Sequence, residues 1–596
     1  MSASRIALLG AVLALCPLMA RADEPAKKPP EKKAGVVAHI KLSGTMEEKA
    51  PTNDPLFGTV GETFKVRLDR IEKAGTDKTI SALLLEIDGP SLGWGKMHEL
   101  TRTIAKVRAS GKKVYAYLEG GASADFMIAL ACDDICVPDA AWLMLTGVRM
   151  EVTFYKGMLD KLGVQADILH MGDFKGAAEP YTRESLSEPN RKQLLSVLDD
   201  FFDNEMVARV VAGRKKAKLT PARVKKLIDG GPYSASGALK AGLIDRVNYL
   251  DGYEDAIKAD LGLDSIKVQR NFGKKKHEEI SIMGLYSKLL LGSGPKIFSS
   301  KAPKVAVIYA TGAIVSGKSG TSLMGGESVG SETMIAAIRQ AEEDDTVKAI
   351  VLRIDSPGGS ALASDLIWKE LRRCKKPVLA SMADVAASGG YYIAMAAGKI
   401  YAEPGTITGS IGVVGGKMAL RGVYDKVGIK TETLSRGANS GLLSSTEPFT
   451  ESEREAFRSL MQNTYDLFVD KALEGRTRAG KKMSRDELLK LAGGRIFTGR
   501  QAKANGLIDE IATLEEVVAA AAKLGGMPQG RKPELLMLPK SRGLVESLLD
   551  NQLDASLMAP LRKVPGLTEK LRGIDTLIEL RRDPVWAITP FRLEVK

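Results

Sequence analysis

The chain repeats itself, and the repetition limits its fold more than any single motif does. IDGP at 87–90 returns as IDSPG at 354–358, LGVQADIL at 162–169 as VGIKTETL at 427–434, and AGLIDRV at 241–247 as NGLIDEI at 505–511. The offsets, 267, 265 and 264 residues, are almost constant. Self-similarity at one period implies one structural unit used twice. Each copy also has the same rhythm of short apolar runs and amphipathic segments. The first predicts strands at 36–42, 80–87 and 113–118 with helices at 62–74 and 97–109; the second predicts strands at 305–309, 349–354 and 377–381 with helices at 332–342 and 361–373. Strand and helix in alternation give an α/β fold, a tandem duplication of mainly parallel sheets with helical crossovers.

The remaining segments fall around these copies. At 596 residues the chain is long enough for roughly two to four domains. Residues 1–22 have the form of a secretory signal: Arg5, an apolar run over 6–19, then Ala20-Arg21-Ala22 as small-x-small before a cut. Residues 23–35 are rich in Pro, Lys and Glu and predict a tether. The first domain is expected at 36–265, a basic linker with a short helix near 283–291 at 266–303, the second domain at 304–525, and a tail at 526–596.

Composition excludes several functions. The net charge of +13 lies in short patches such as 27–33, 214–218 and 274–276, with aromatics only 5% of the chain. Without basic residues interleaved with aromatics, this points to a general attraction to anionic surfaces, membranes included, and not to nucleic acid. The four histidines, His39, His98, His170 and His277, form no metal-spaced cluster, so no metal is expected. Loss of Cys16 with the signal leaves Cys132, Cys136 and Cys374, too few for a disulfide framework.

Chemistry enters where the copies differ. In AASGGYY (386–392) a serine precedes two glycines and a helical run, a sharp turn where an exposed hydroxyl is either an ordinary N-cap or a nucleophile. Ser388-Gly389-Gly390 falls opposite Ser123-Ala124-Asp125, and Gly358-Gly359 opposite Ser91-Leu92. Conversely Lys175, in GDFKGA, falls opposite Ser440. The first copy has lost the permissive backbone at both loops, and the second lacks the lysine. Together they hold an acyl-transfer kit: Ser388 as nucleophile, Lys175 as a base if burial strips its proton, and Gly389 with Gly359 as amide donors to an oxyanion. Ser410, in TGSIG, is placed to hold the lysine or is a plain loop serine.

The residues around Ser388, with DSPGG at 355–359, TGSIGV at 408–413 and Lys175 followed by Glu179-Pro180, resemble the long, duplicated form of the signal peptide peptidase A family, also called protease IV. The resemblance covers roughly 36–525. It implies a crotonase- or Clp-protease-like fold and a serine endopeptidase with a Ser/Lys dyad. In it Ser388 is the nucleophile, Lys175 the general base, Ser410 the lysine's partner and Gly389 an oxyanion donor. It further implies a homotetramer, hydrophobic peptides such as cleaved signal peptides as substrates, no cofactor, and a periplasmic place at the inner membrane. Family members of this length commonly keep an N-terminal anchor, whereas Ala20-Arg21-Ala22 looks cleavable.

Three other readings compete. Residues 312–319, GAIVSGKS, match a phosphate-loop pattern upstream of Asp355, but Ile314-Val315 prefers strand and a working loop needs a helix at Lys318-Ser319. A crotonase-like acyl-CoA enzyme would leave the Ser388 turn without a role. A catalytically dead scaffold in the envelope would be favoured by a Lys175 that is exposed and remote from Ser388.

Overall fold

The computed structural model describes residues 33–48, 62–274, 301–320, 327–539 and 585–588. The signal-like segment, most of the tether and the short helix expected at 283–291 lie outside them.

The strand and helix signals fall where the repeat places them. In the first half, Ala34–Thr45, Ala82–Ser91, Lys113–Leu118, Asp134–Val137 and Arg246–Val247 lie side by side, all parallel, with Ser265–Gln269 on the free flank of Ala34–Thr45. In the second, Glu534–Leu538, Lys304–Thr311, Val347–Ser356, Val378–Ala387, Lys399–Ala402 and Glu510–Ile511 repeat the same parallel path. Parallel strands need apolar cover on both faces, which explains continuous runs such as Ala349, Ile350, Val351 and Leu352, all fully buried. One face is covered by helices such as Trp94–Ala109, whose Met97, Leu100, Ile104 and Val107 form a buried stripe at helical spacing. Leu250–Asp260 and Leu514–Leu524 cover the other face in their respective halves.

Two expected boundaries are corrected. Ser265–Gln269 pairs with Ala34–Thr45, so the linker does not begin at 266. Its equivalent, Glu534–Leu538, pairs with Lys304–Thr311, so the second unit runs past 525 into the expected tail. Both are edge strands whose partner lies more than 200 residues upstream in sequence, so local composition carries no trace of the pairing.

A third sheet joins the halves. Its order is Ser328–Gly330, Ala313–Val315, Gly358–Ser360, Val585–Ile588, Val413–Ala419 and Gln165–Met171. Gln165–Met171 of the first half pairs antiparallel with Val413–Ala419 of the second, Met171 opposite Val413. The helix Trp94–Ala109 also crosses between halves: Gly95 comes so near strand Val378–Ala387 that a Cβ on it would lie 2.4 Å from the Ala383 carbonyl oxygen. Among the described residues no helix is long and apolar enough to cross a membrane.

Candidate active site

Ser388 sits between strand Val378–Ala387 and helix Gly389–Ala394. Its φ is +56°, uncommon for a residue with a Cβ and costing on the order of 1–3 kcal/mol. The strain is held by the Ser388 N–H donating to Gly409 O at 2.8 Å and by Tyr392 N–H donating to Ser388 O at 2.8 Å. The hydroxyl makes no capping bond to the helix. It lies instead 2.7 Å from Lys175 Nζ, which decides between the two readings of this turn: the serine is not an N-cap in the ordinary sense.

Lys175 reaches Ser388 because the third sheet delivers it. After Gln165–Met171 the chain turns at Gly172, whose backbone lies so near Gly493 that a Cβ would sit 2.2 Å from the Gly493 Cα. Phe174 N–H then donates to Gly493 O at 2.9 Å, and the Arg495 guanidinium stacks 3.8 Å from the Phe174 ring centroid. The lysine is 1% exposed. Nζ lies 3.0 Å from Ser410 Oγ and 3.1 Å from Ser410 O, and no carboxylate pairs with it among the described residues. Burial without a counter-charge pushes its pKa well below the usual lysine value. Ser410, itself at φ +54°, is fixed by its N–H donating to Arg495 O.

The glycines divide the remaining work. Gly358 faces the turn: a Cβ on it would lie 2.7 Å from Gly389 N and 3.0 Å from Ala387 O. Its own N–H donates to Ser356 Oγ at 3.2 Å. Gly359 follows in strand Gly358–Ser360, between Ala313–Val315 and Val585–Ile588. Gly389 begins the helix after the serine, where a Cβ would lie 2.7 Å from Ser364 Oγ. The structure thus brings Ser388, Lys175, Ser410, Gly389 and the Gly358-Gly359 loop into one place.

The first half holds a blocked version of this turn. Ser123 Oγ donates to Met144 O, and the Asp125 carboxylate accepts from Gly89 N–H at 3.2 Å and Ala122 N–H at 3.1 Å. Burial raises the Asp125 pKa to about 6. Amides near the turn are consumed by a side chain, and the residue opposite Lys175, Ser440, is exposed.

Sequence reasoning had Glu179 only as a motif residue and missed how the lysine is supported. Glu179, Asn190 and Gln193 form a buried chain: Asn190 Nδ2 donates to Glu179 Oε1 at 2.7 Å, Gln193 Nε2 donates to Asn190 Oδ1 and, at 2.8 Å, to Phe174 O, and Gln193 Oε1 accepts from Ile496 N–H at 3.1 Å. Gly494, at φ +87°, is a second support, since a Cβ on it would lie 2.4 Å from Lys175 N. Gly494→Ala is expected to lower kcat about a hundredfold by displacing the lysine, with the melting temperature measured alongside to separate this from unfolding.

The nucleotide reading fails on geometry. Residues 312–319 form the strand Ala313–Val315 and a turn, the next helix among the described residues being Ser331–Glu343. Ser319 N–H donates to Thr333 Oγ1 at 2.8 Å, and Asp355 pairs with buried Lys96 of the first half at 2.7 Å.

Comparison with known proteins identifies the family. The profile of peptidase family S49 matches residues 106–264 and 370–527, once in each half, and that of Clp protease matches 325–408. The chloroplastic serine protease SPPA of Arabidopsis thaliana is 34% identical over 502 residues, covering 84% of this chain and 71% of that protein. Protease 4 of Salmonella typhi is 28% identical over 557 residues, 88% and 85% of the two chains. Protease 4 of Haemophilus influenzae is 30% identical over 474 residues, 76% and 72%.

Proposed function

Since the chain belongs to peptidase family S49 and is a serine-type protease, we propose that it hydrolyses peptides through a Ser388/Lys175 dyad assembled from its two halves. The observation that carries this reading is the buried Lys175 amine 2.7 Å from Ser388 Oγ, unpaired with any described carboxylate. A neutral amine has two N–H groups and one lone pair. The N–H groups suit Ser410 O and Ser410 Oγ, which leaves the lone pair for the Ser388 hydroxyl. Ser388 Oγ attacks the substrate carbonyl as Nζ takes its proton, and amides of Gly389 and Gly359 receive the oxyanion. Lys175 returns the proton to the leaving amine. Water then repeats the sequence on the acyl-enzyme, with no cofactor.

The substrates proposed are hydrophobic peptides in extended form, cleaved signal peptides among them. Apolar side chains support this choice: Ala177, Ala178 and Val414 form one cluster beside the site, and Val413, Phe449, Phe457 and Met461 form another. The signal-like residues 1–22 support an exported, periplasmic enzyme working at the membrane surface. A homo-oligomer, a tetramer by family resemblance, is part of the same reading. The third sheet supports it, because its cross-half pair has an unused equivalent: residues 148–154 and 430–436, each offset by 265 from Val413–Ala419 and Gln165–Met171, lie outside any strand. Leu434 there is 90% exposed. Pairing 430–436 of one copy with 148–154 of the next would repeat the internal contact head to tail and close a ring.

The test is hydrolysis of a synthetic signal peptide across pH, with products identified by mass. The active base is the unprotonated amine, so kcat/KM should rise with pH, up to about tenfold per unit, through a lysine pKa that burial holds below the usual 10.5. A profile flat from acid to alkaline would remove the lysine from the mechanism. Stability has the same sign: the unfolded chain binds a proton that the folded chain sheds, so stability should also rise with pH across this window, by at most about 1.4 kcal/mol per unit. Lys175→Met should remove that contribution to the slope of a denaturation series.

A further inference from the structure

The strand that leads into Ser388 carries a bulge. Val378–Ala387 runs beside Val347–Ser356 in regular register as far as Met382 opposite Ile354, and the next pair is Ala386 opposite Ser356. Between those pairs one residue, Asp355, faces three, Ala383, Asp384 and Val385. A bulge bends and twists its strand and re-aims the side chains beyond it. Ser388 lies two residues past the point where pairing resumes. The corresponding strands of the first half keep an unbroken register and end at Ile87 opposite Leu118.

The bulge is closed by an ammonium from the other half. Lys96, 4% exposed on helix Trp94–Ala109, puts Nζ 2.7 Å from Asp355 Oδ2 and 3.1 Å from Asp384 Oδ2. Asp355 Oδ1 accepts from Val385 N–H at 3.2 Å, across the bulge. Asp384 also caps the helix that delivers the lysine, accepting from Gly93 N–H at 3.0 Å and from Lys96 N–H at 2.8 Å. The helix's own N-cap, Gly93, has no side chain for that task. Burial opposes the charge on Lys96, but Asp355 and Asp384 outweigh it and keep the ammonium protonated, so this lysine is a tie and not a second base. The repeat divides the parts between the halves, as it does for the dyad. Lys96 falls opposite Ala363, while Asp355 and Asp384 fall opposite Asp88 and Glu119. Both of those acids reach solvent, the Asp88 side chain being 46% exposed and Glu119 exposed.

We propose that Lys96 is a positioning residue for the reaction: by drawing Asp355 and Asp384 together it fixes the bulge and with it the placing of Ser388 against the Gly358-Gly359 loop. This rests on the Ser388/Lys175 reading. Asp355 stands three residues before Gly358 and Asp384 four before Ser388, so the ammonium grips the roots of both loops at once. Without it two carboxylates repel each other across the bulge, and the strand before the serine is pushed from the strand before the glycines. Peptide binding should be spared, because Lys96 is no part of the apolar clusters proposed to receive substrate.

Steady-state hydrolysis of the synthetic signal peptide by Lys96→Met tests this, with urea denaturation of the same samples and Lys175→Ala assayed in parallel. A displacement of about 1 Å at the nucleophile should lower kcat about a hundredfold and leave KM within about threefold of wild type. The rise of kcat/KM with pH should keep its wild-type midpoint, since Lys175 is still the base. Asp355→Asn/Asp384→Asn added to Lys96→Met removes the stranded acids. The urea midpoint should then return toward wild type while kcat stays at least about tenfold low, because neutral amides do not replace the ammonium's grip. This triple variant also carries the test if Lys96→Met alone does not fold. Recovery of kcat together with stability would make Lys96 a structural ion pair only and overturn the inference. A wild-type kcat in Lys96→Met, a loss confined to KM or a displaced pH midpoint overturns it equally, and each leaves the protease reading standing while Lys175→Ala is inactive. An active Lys175→Ala overturns the dyad and this inference with it.

Discussion

Ser388→Ala and Lys175→Ala are each expected to reduce kcat for peptide hydrolysis by about 10⁴–10⁶-fold, and the double variant to be no worse than the poorer single one. The non-additivity follows from geometry. Ser388 has one described side-chain partner, Lys175 Nζ at 2.7 Å, so a serine without the lysine has no proton acceptor and a lysine without the serine has no nucleophile to serve. Lys175→Arg is the sharper variant, because guanidinium keeps its proton and cannot act as base while retaining a cationic, hydrogen-bonding side chain. It should be as inactive as Lys175→Ala. Ser410→Ala should cost less, about 10- to 100-fold, since Ser410 O still holds the amine at 3.1 Å. Single-turnover assays with active-site titration read all five variants. Activity of Lys175→Arg near the wild-type level would dismiss the lysine as base.

Much of this site was legible because the chain carries its own control. Lys175 alone has the sequence character of a surface lysine; only its absence opposite, at Ser440, and the loss of both glycine pairs in the first copy mark it out. Local elements were equally readable, as Lys113–Leu118 and Ala361–Arg373 show, since apolar period and a Ser360 cap fix them without distant help. What could not be read was whatever depends on remote backbone. Gln165–Met171 has the same sequence character as its repeat at 430–436, yet one is a paired strand and the other is exposed, because only the first meets Val413–Ala419. Gly494 is one glycine among 60, and its need for close approach arises from Lys175, more than 300 residues earlier. Val585–Ile588 is four residues long, too short for any periodic signal, and its sheet partners lie 170 or more residues away.

Arg353→Met is expected to destabilise the protein by about 3–5 kcal/mol and to lower activity with it, although Arg353 touches neither Ser388 nor Lys175. The 2.7 Å contact between Lys175 and Ser388 lasts only while the halves hold their relative position, and Arg353 is one of the buried charges that fix it. From strand Val347–Ser356 of the second half, Nη2 and Nη1 reach Glu48 Oε1 at 2.7 Å and Glu99 Oε1 at 2.8 Å in the first, and all three side chains are at most 2% exposed. Glu99 also accepts from Leu514 N–H at 3.0 Å, which ties a third element to the cluster. The two carboxylates share one guanidinium: burial raises the Glu99 pKa even so, while the acids keep Arg353 firmly charged. Removing the arginine strands two acids in a dry interface, and at least one must take up a proton for the halves to stay together. The defect should therefore shrink as pH falls toward the carboxylate range, which a cavity left by a lost side chain would not do. Glu48→Gln/Glu99→Gln added to Arg353→Met should recover most of the stability, because amides of the same shape need no counter-charge. Denaturant midpoints for the single and triple variants at neutral and acidic pH decide the matter. An Arg353→Met chain as stable as wild type at neutral pH would mean that apolar packing alone holds the lysine half against the serine half.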